Sequence, residues 1–560
     1  MPHPDYPLEQ RTIGRVLADK ALRVPQRAFL LWQGRTTTYA DVETLTNRYA
    51  NGFAALGIGH GDHVAVMLPN GPEFLWVVWG LGKLGAVAVP LNTAAKGEML
   101  HYFVDQSDAC CMVVDDAWAD RVRAIAPRLG KVRTWVRRVS DGGDAQAVGA
   151  APAAGETRAV GDAQDFGVPG ARVITLDALV SADDRPPPVE RVRHDDTHLI
   201  LYTSGTTGPS KGVLCPHAQG LGVGRQMAGA YGYREDDILY TCLPLFHANA
   251  LWYSCCAALW AEAAVALAPR FSASSFWDDL RTTRATQFNS LGAMTNIILQ
   301  LPPGPHERDH ALRQCMVVPM QKALYAEIRQ RFGVQVTSLF AMTENFAITV
   351  FRPDDRADKA GSAGAPHGAS ELRIVDDDGR VLPAGAVGEI QVRPLHPGSM
   401  MKGYYKMPEE TARAFADGWF CTGDRGWLDE DGYLVFVDRK KEAIRRRGEN
   451  ISAYEVEMIL SKHPAILEVA AVPVPSEMSE DEVMVYVVRK PGAQVSVEEV
   501  VRFAVEHMNY YMVPRFVAFI DALPKTATEK IEKYKLKQEA LARRDTLWDR
   551  ERAGITVRRS

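Results

Sequence analysis

The run Leu201–Val213, LYTSGTTGPSKGV, places hydroxyl side chains and glycines behind an apolar stretch and ends them on one lysine. Gly205 and Gly208 let the backbone turn its N–H groups toward an anion and let a ligand approach closely. Thr203, Ser204, Thr206 and Thr207 add hydroxyl donors, and Lys211 adds a compact positive charge. This is the chemistry of a phosphate site. The spacing departs from the common nucleotide P-loop, which needs glycine, four residues, then Gly-Lys-Ser/Thr. Here Gly208 stands three before Lys211 and Gly212 follows it, so a kinase- or motor-type NTPase loses support. The bland alternative, a flexible Ser/Gly turn, is the weaker reading of the segment even taken alone.

The elements that must position such a loop are legible around it. Between residues 36 and 92, helical and strand periodicities alternate: TTYADVETLTNRYANGFAALGI as a helix, HVAVMLP as a strand, GPEFLWVVWGLGKLG as a helix, AVAVPLN as a strand. THLILYT opens a second strand series, continued by ILYTCLPLF, TQFNSL and QVTSLFAM with helices between. Residues 361–393 read as short strands and turns, a β-rich layer. Beyond the basic run DRKKEAIRRRGEN the pattern becomes a small α+β domain. The fold class is therefore α/β: a large N-terminal domain of helix-covered sheets plus a β-rich layer (1–437), a hinge at 438–442, and a small mobile C-terminal domain (443–560). Residues 141–170, rich in Ala, Gly and Asp, read as a flexible insertion that buries little.

Bulk properties exclude several classes. At 560 residues more than one domain is expected, and a net charge of −5 gives no field for nucleic acid or an anionic membrane. Eight cysteines without a CxxC pair argue against a disulfide framework or zinc site and fit a reducing cytoplasm. The N-terminus lacks a signal-peptide pattern. The most membrane-like window, Leu251–Pro269, is interrupted by Glu262 and reads as a buried helix followed by a short strand.

Several segments in order along the chain resemble the adenylate-forming enzymes, the superfamily of acyl-CoA synthetases, peptide-synthetase adenylation domains and firefly-type luciferases. Tyr202–Val213 resembles their phosphate loop, and FAMTEN (Phe340–Asn345) the following motif. Gly403–Glu442 is similar over forty continuous residues, and GENISAYEVE and LPKTATEKI complete the set, so the likeness spans roughly residues 10–540. RRRGENIS and TATEK look most like the crotonobetaine/carnitine-CoA ligase subgroup.

The resemblance implies a two-step reaction. A carboxylate attacks the α-phosphate of ATP, giving acyl-adenylate and pyrophosphate, and a thiol then displaces AMP. It also implies roles. Thr203–Lys211 would hold the β- and γ-phosphates; Thr343 would touch the α-phosphate and Glu344 would hold Mg²⁺, a cation that takes carboxylate oxygen. Asp424 would accept the ribose hydroxyls with Arg439 assisting, Phe340 would stack on adenine, and Lys530 would bridge the substrate carboxylate and the α-phosphate. Lys441 would occupy the hinge, and the strand after Gly448 would line a pantetheine tunnel for coenzyme A. His247, Asn249, Trp252 and Met294 are candidate walls of the acid pocket and suit a small or medium acid; a packed core histidine is an equal reading of His247. Three departures touch this scheme: MVVPM (Met316–Met320) and Phe340-Ala341 lack the glycines usual near adenine, and Glu529 stands beside Lys530.

The expectation is an ATP- and Mg²⁺-dependent acid–CoA ligase. Its rivals are an adenylation enzyme loading a carrier-protein thiol and a non-catalytic nucleotide or acyl sensor; retention of Lys211, Glu344, Asp424 and Lys530 together argues against the latter. The oligomeric state, a homodimer included, is left open.

Overall fold

The alternation between residues 36 and 92 folds as a strand–helix–strand unit. His63–Met67 and Val87–Pro90 pair in parallel and are joined by the helix Pro72–Leu84. Pro72 begins that helix where no N–H is needed, and Gly85 ends it at a left-handed φ of 73°. Phe74 to Lys83 are all buried, as expected of a helix apolar on every side. Lys83 is accommodated because its Nζ reaches Glu43 Oε2 (2.7 Å) and Asn47 Oδ1 (2.6 Å), while burial lowers its pKa to about 8. The preceding helix, Tyr39–Ala55, starts on a reciprocal cap between Thr38 and Asp41.

The computed structural model describes residues 5–557 apart from 140–165, 167, 169, 204–209, 346, 440–442, 447, 448, 477–480, 509, 511, 527 and 528. The chain divides into two compact units, Met1–Glu371 with Arg393–Phe415, and Leu372–Val392 with Ala416–Ser560. The first unit holds two large sheets. One has seven strands and is parallel except at its edge, where Thr197–Thr203 and Lys211–Pro216 form an antiparallel pair. The other has nine strands with a parallel centre that includes Ile238–Thr241, Gln287–Leu291, Gln314–Val318 and Gln335–Phe340. Strands such as Cys111–Asp115 and Ala264–Leu267 are buried along their whole length, which is why they read as apolar runs and not as alternations.

In the second unit, Trp419–Leu428 pairs on one side with Gly388–Pro394 and on the other with Leu434–Arg439. A hairpin (Ala443–Arg446, Glu449–Ser452) and a four-stranded sheet built on Ile466–Pro475 and Asp481–Arg489 follow, covered by the helices Ala453–Leu460 and Val497–His507. The β-rich layer thus groups with the C-terminal segment, and 440–442 of the expected hinge lie outside the described residues.

Leu251–Pro269 is interior structure: a π-helical stretch Asn249–Cys256, a short helix Ala257–Ala261 and the strand Ala264–Leu267, all buried after Asn249. Among the described residues no helix is long and apolar enough to cross a membrane. The eight cysteines are free thiols. Most of 141–170 lies outside the described residues, but Phe166 is fully buried, stacked on Trp135 at 4.7 Å between ring centroids. Composition hid this, because a single aromatic can anchor a segment that is otherwise polar.

Candidate active site

Thr203 closes its strand opposite Lys211, and its hydroxyl donates to the Lys211 carbonyl at 3.4 Å. The phosphate-loop candidate is therefore the connection of a two-stranded antiparallel pair; Ser204, Gly205, Thr206, Thr207 and Gly208 themselves lie outside the described residues. Lys211 Nζ is 2.7 Å from Glu410 Oε2 and 4.8 Å from the centre of the Tyr404 ring.

Tyr404 joins Lys211 to the second cluster. Its hydroxyl donates to Glu344 Oε1 at 2.9 Å. Burial and the neighbouring Glu344 carboxylate both raise the Tyr404 pKa, so the phenol stays a donor. Glu344 is 7% exposed, a buried carboxylate. It follows the strand Gln335–Phe340, where Met342 N–H donates to the Asn345 carbonyl in a tight turn. Gln219 Nε2 supports that turn by donating to the carbonyls of Thr343 (3.2 Å) and Glu344 (3.4 Å).

The segment 400–405 laces these parts together. Met401 N–H donates to the Glu344 carbonyl, and Met400 bridges Asn345. Lys402 and Tyr405 donate to the carbonyls of Leu214 and Gly212, while Leu214 donates to that of Gly403. Gly403 has φ of 141°, and a Cβ there would come 3.0 Å from Thr411 Cγ2. Lys211 and the Glu344 carboxylate are thus held on one backbone frame. Gln219, Tyr404 and Glu410 were not singled out from the sequence; only the forty-residue resemblance beginning at Gly403 pointed toward the latter two. Phe340 ends its strand 7% exposed, paired with Thr349 across an antiparallel register.

A separate set surrounds the acid-pocket candidates. Asn70 pins the approach, taking the Leu245 N–H on Oδ1 and donating Nδ2 to the Leu243 carbonyl. His247 Nε2 is buried and meets no hydrogen-bond partner among the described residues, and burial lowers its pKa to about 4, so it stands neutral. Asn289 Nδ2 donates to Asn249 Oδ1 (3.2 Å) and to Ser254 Oγ (3.1 Å), and Gln287 donates to Asn289. Trp252 packs where a Cβ on Gly220 would be 2.8 Å from its Nε1, and the Cys242 thiol lies 3.7 Å from Met294 Sδ. Asn289 belongs with this group; it stands fully buried in the strand Gln287–Leu291, and its polar type within a buried strand was the available signal. The π-helical winding through Asn249 is a geometry that often marks functional sites.

In the second unit Asp424 is 5% exposed, its N–H held by Thr422 Oγ1, and it faces Arg439 in strand register. Lys530 is exposed at the end of a turn in which its N–H donates to Thr526 Oγ1 and the Thr526 N–H donates to its carbonyl. The neighbouring Glu529 sits at φ 59° and its carboxylate pairs with Lys525 at 3.2 Å. Lys441 and Gly448 lie outside the described residues.

Residues 17–405 match the family model of the AMP-binding enzymes, and residues 455–530 that of the AMP-binding enzyme C-terminal domain. The chain belongs to the AMP-binding enzyme family. It is 33% identical over 506 residues to the crotonobetaine/carnitine–CoA ligase of Salmonella heidelberg (strain SL476), covering 90% of this chain and 93% of that one. Among solved structures it is similar to ATP-bound MatB from Rhodopseudomonas palustris (26% identity, TM-score 0.79, 95% and 99% of the two chains). It is likewise similar to the O-succinylbenzoate coenzyme A synthetase of Bacillus subtilis in complex with AMP (26%, TM-score 0.77, 93% and 98%). This AMP-binding enzyme is an AMP-forming acyl-CoA ligase, with the α/β architecture of that group.

Among the described residues no three His, Cys, Asp or Glu side chains gather as a self-contained metal site. The single buried carboxylate of Glu344 instead fits an ion whose remaining ligands are phosphate oxygens and water, the usual preference of Mg²⁺.

Proposed function

We propose that this ligase activates a small or medium acid that offers hydrogen-bonding groups beside its carboxylate, and that coenzyme A is the thiol acceptor. The observation that carries the phosphate side is the joining of Lys211 and Glu344 through Tyr404. Lys211 neutralises charge on the departing pyrophosphate, and the turn held by Gln219 presents Thr343 at the α-phosphate. Glu344 would hold Mg²⁺ together with the phosphates, and the ion would supply further charge neutralisation there. The substrate carboxylate oxygen forms a bond to the α-phosphorus as the bridging bond to the β-phosphate breaks. In the second step the thiol sulfur attacks the acyl carbonyl, AMP leaves, and the thiol proton passes to solvent.

Asp424 takes the ribose hydroxyls with Arg439, Phe340 packs on adenine, and Lys530 brings its ammonium to the carboxylate–phosphate junction. Pairing of Glu529 with Lys525 supports this by drawing the adjacent negative charge aside. The acid preference is supported by Asn249 and Asn289, and by the neutral His247. Acids of the crotonobetaine and carnitine type, named for the Salmonella relative, head the panel to test. Free thiols throughout support a cytoplasmic setting.

The test is pyrophosphate release over a panel of acids, with and without coenzyme A. Acyl-CoA formation from at least one polar acid is expected. Release without coenzyme A consumption supports the carrier-loading rival, and no release with any acid refutes the proposal. Lys530→Ala should slow adenylate formation strongly and spare thioester formation from supplied adenylate; equal loss in both steps counts against its assigned role.

A further inference from the structure

A cavity of about 470 Å³ lies against the outer face of the helix His217–Tyr231, and none of the residues assigned above to phosphate or acid binding lines it except the supporting Gln219. Its size falls in the range of small-molecule sites. Gly222 and Gly229, seven apart on one helix, line it, and among the described residues no atom lies within 4 Å of where a Cβ would stand at either, so both face open space.

The cavity wall already holds a carboxylate. Arg225 grips Asp5 with both arms of its fork, Nε to Oδ1 at 2.8 Å and Nη2 to Oδ2 at 3.1 Å. Arg11 Nη2 approaches the same Oδ1 at 3.5 Å, and its guanidinium lies 5.9 Å from the centre of the Trp260 ring. The Asp5 side chain is 60% exposed. An arginine pair beside an apolar wall, closed by a displaceable side chain, is a recognition element for an anion carrying an apolar body.

We propose that this cavity is an effector site for a small carboxylic acid, whose carboxylate replaces Asp5 between Arg11 and Arg225 and whose body lies along Trp260 and the Gly222–Gly229 face. Two walls continue into the Glu344 turn. Gln219 lines the cavity and holds the Thr343 and Glu344 carbonyls. The loop His396–Ser399 runs on into Met400 and Met401, which pair with Asn345 and Glu344. An occupant therefore acts on the two supports of the phosphate-side carboxylate, and its affinity and that of ATP must shift each other by one common factor. The site is separate from the acid pocket, and it stands whatever acid the enzyme activates.

Benzoate is the probe and benzamide the uncharged control, titrated by calorimetry into the full chain with thermal unfolding to confirm folding. Asp5→Asn should tighten benzoate about tenfold by freeing the arginine fork. Arg225→Gln should weaken it about tenfold or more, and Gly222→Leu should abolish binding by filling the cavity. Benzoate should change the KM for ATP in the wild type, and the change should vanish in Arg225→Gln and Gly222→Leu. Affinity unchanged across the three variants, equal binding of benzamide, or a KM effect that persists in Gly222→Leu would place benzoate in the acid pocket and overturn the proposal.

Discussion

Tyr404→Phe isolates one hydrogen bond at the candidate active site. The ring that faces Lys211 Nζ at 4.8 Å is retained, and only the hydroxyl that donates to Glu344 Oε1 at 2.9 Å is removed. The bond is buried, with Tyr404 8% and Glu344 7% exposed, so water does not readily replace the lost donor. Hydrogen bonds to a charged group contribute about 1.5–3 kcal/mol. If that stabilisation serves to aim the carboxylate in the transition state, kcat/KM for ATP falls about 10- to 150-fold at about 1.4 kcal/mol per decade. The assay is the initial rate of pyrophosphate release at saturating acid, with ATP and Mg²⁺ varied independently. Because the hydroxyl acts through the proposed metal carboxylate, raised Mg²⁺ should recover part of the loss. A folded variant within twofold of wild type would refute the reasoning, as would a deficit that no Mg²⁺ concentration relieves.

Other outcomes follow from single contacts. Glu410→Gln removes the partner of Lys211 across a part-exposed 2.7 Å pair worth about 0.2–1 kcal/mol, so the KM for ATP should fall up to about fivefold at low salt, with a smaller change at high salt. Glu409→Gln, whose carboxylate pairs with Arg413, is the control, and an equal effect from it would refute a specific role for Glu410. Gly224→Ala would place a Cβ 2.5 Å from the Cys256 carbonyl oxygen, so it should destabilise by about 1–3 kcal/mol in thermal or denaturant unfolding and raise the KM for the acid by shifting the stretch that carries Asn249. His198 and His217 stack at 4.4 Å in the core, and both pKa values are lowered, chiefly by burial, that of His198 to about 4. The unfolded chain binds these protons near pH 6.5 and the folded one does not, so stability is unaffected above that pH and falls as pH drops toward about 4. His198→Gln should flatten that slope by up to about 1.4 kcal/mol per pH unit in unfolding titrations; an unchanged slope would show that other groups carry it.

Much of the fold was legible because its elements carry strong local signals. The apolar run of Pro72–Leu84 between a proline and a glycine, and the wholly apolar strands around it, leave little choice of structure. Glu262 marked Leu251–Pro269 as interior, and the structure shows why it is tolerated there: it ends a helix at φ 58° and pairs with Lys20 at 3.0 Å. Phe166 was not legible, since its burial depends on Trp135 from a distant strand.

The sequence by itself determined the reaction family, because phosphate, carboxylate and lysine groups must recur in order and at short spacings for one chain to perform that chemistry. It also determined which residue types stand ready: Lys211, Glu344, Asp424 and Lys530. Tertiary structure alone decided who supports them. Tyr404 lies 60 residues from Glu344 along the chain and Gln219 125, and no local periodicity encodes a hydrogen bond over such separations. The partner of Glu529 and the burial of His247 Nε2, which meets no hydrogen-bond partner among the described residues, were likewise undecided until the chain was folded. Side-chain type is a local property, whereas hydrogen-bond partners and burial are set by segments that meet only in three dimensions.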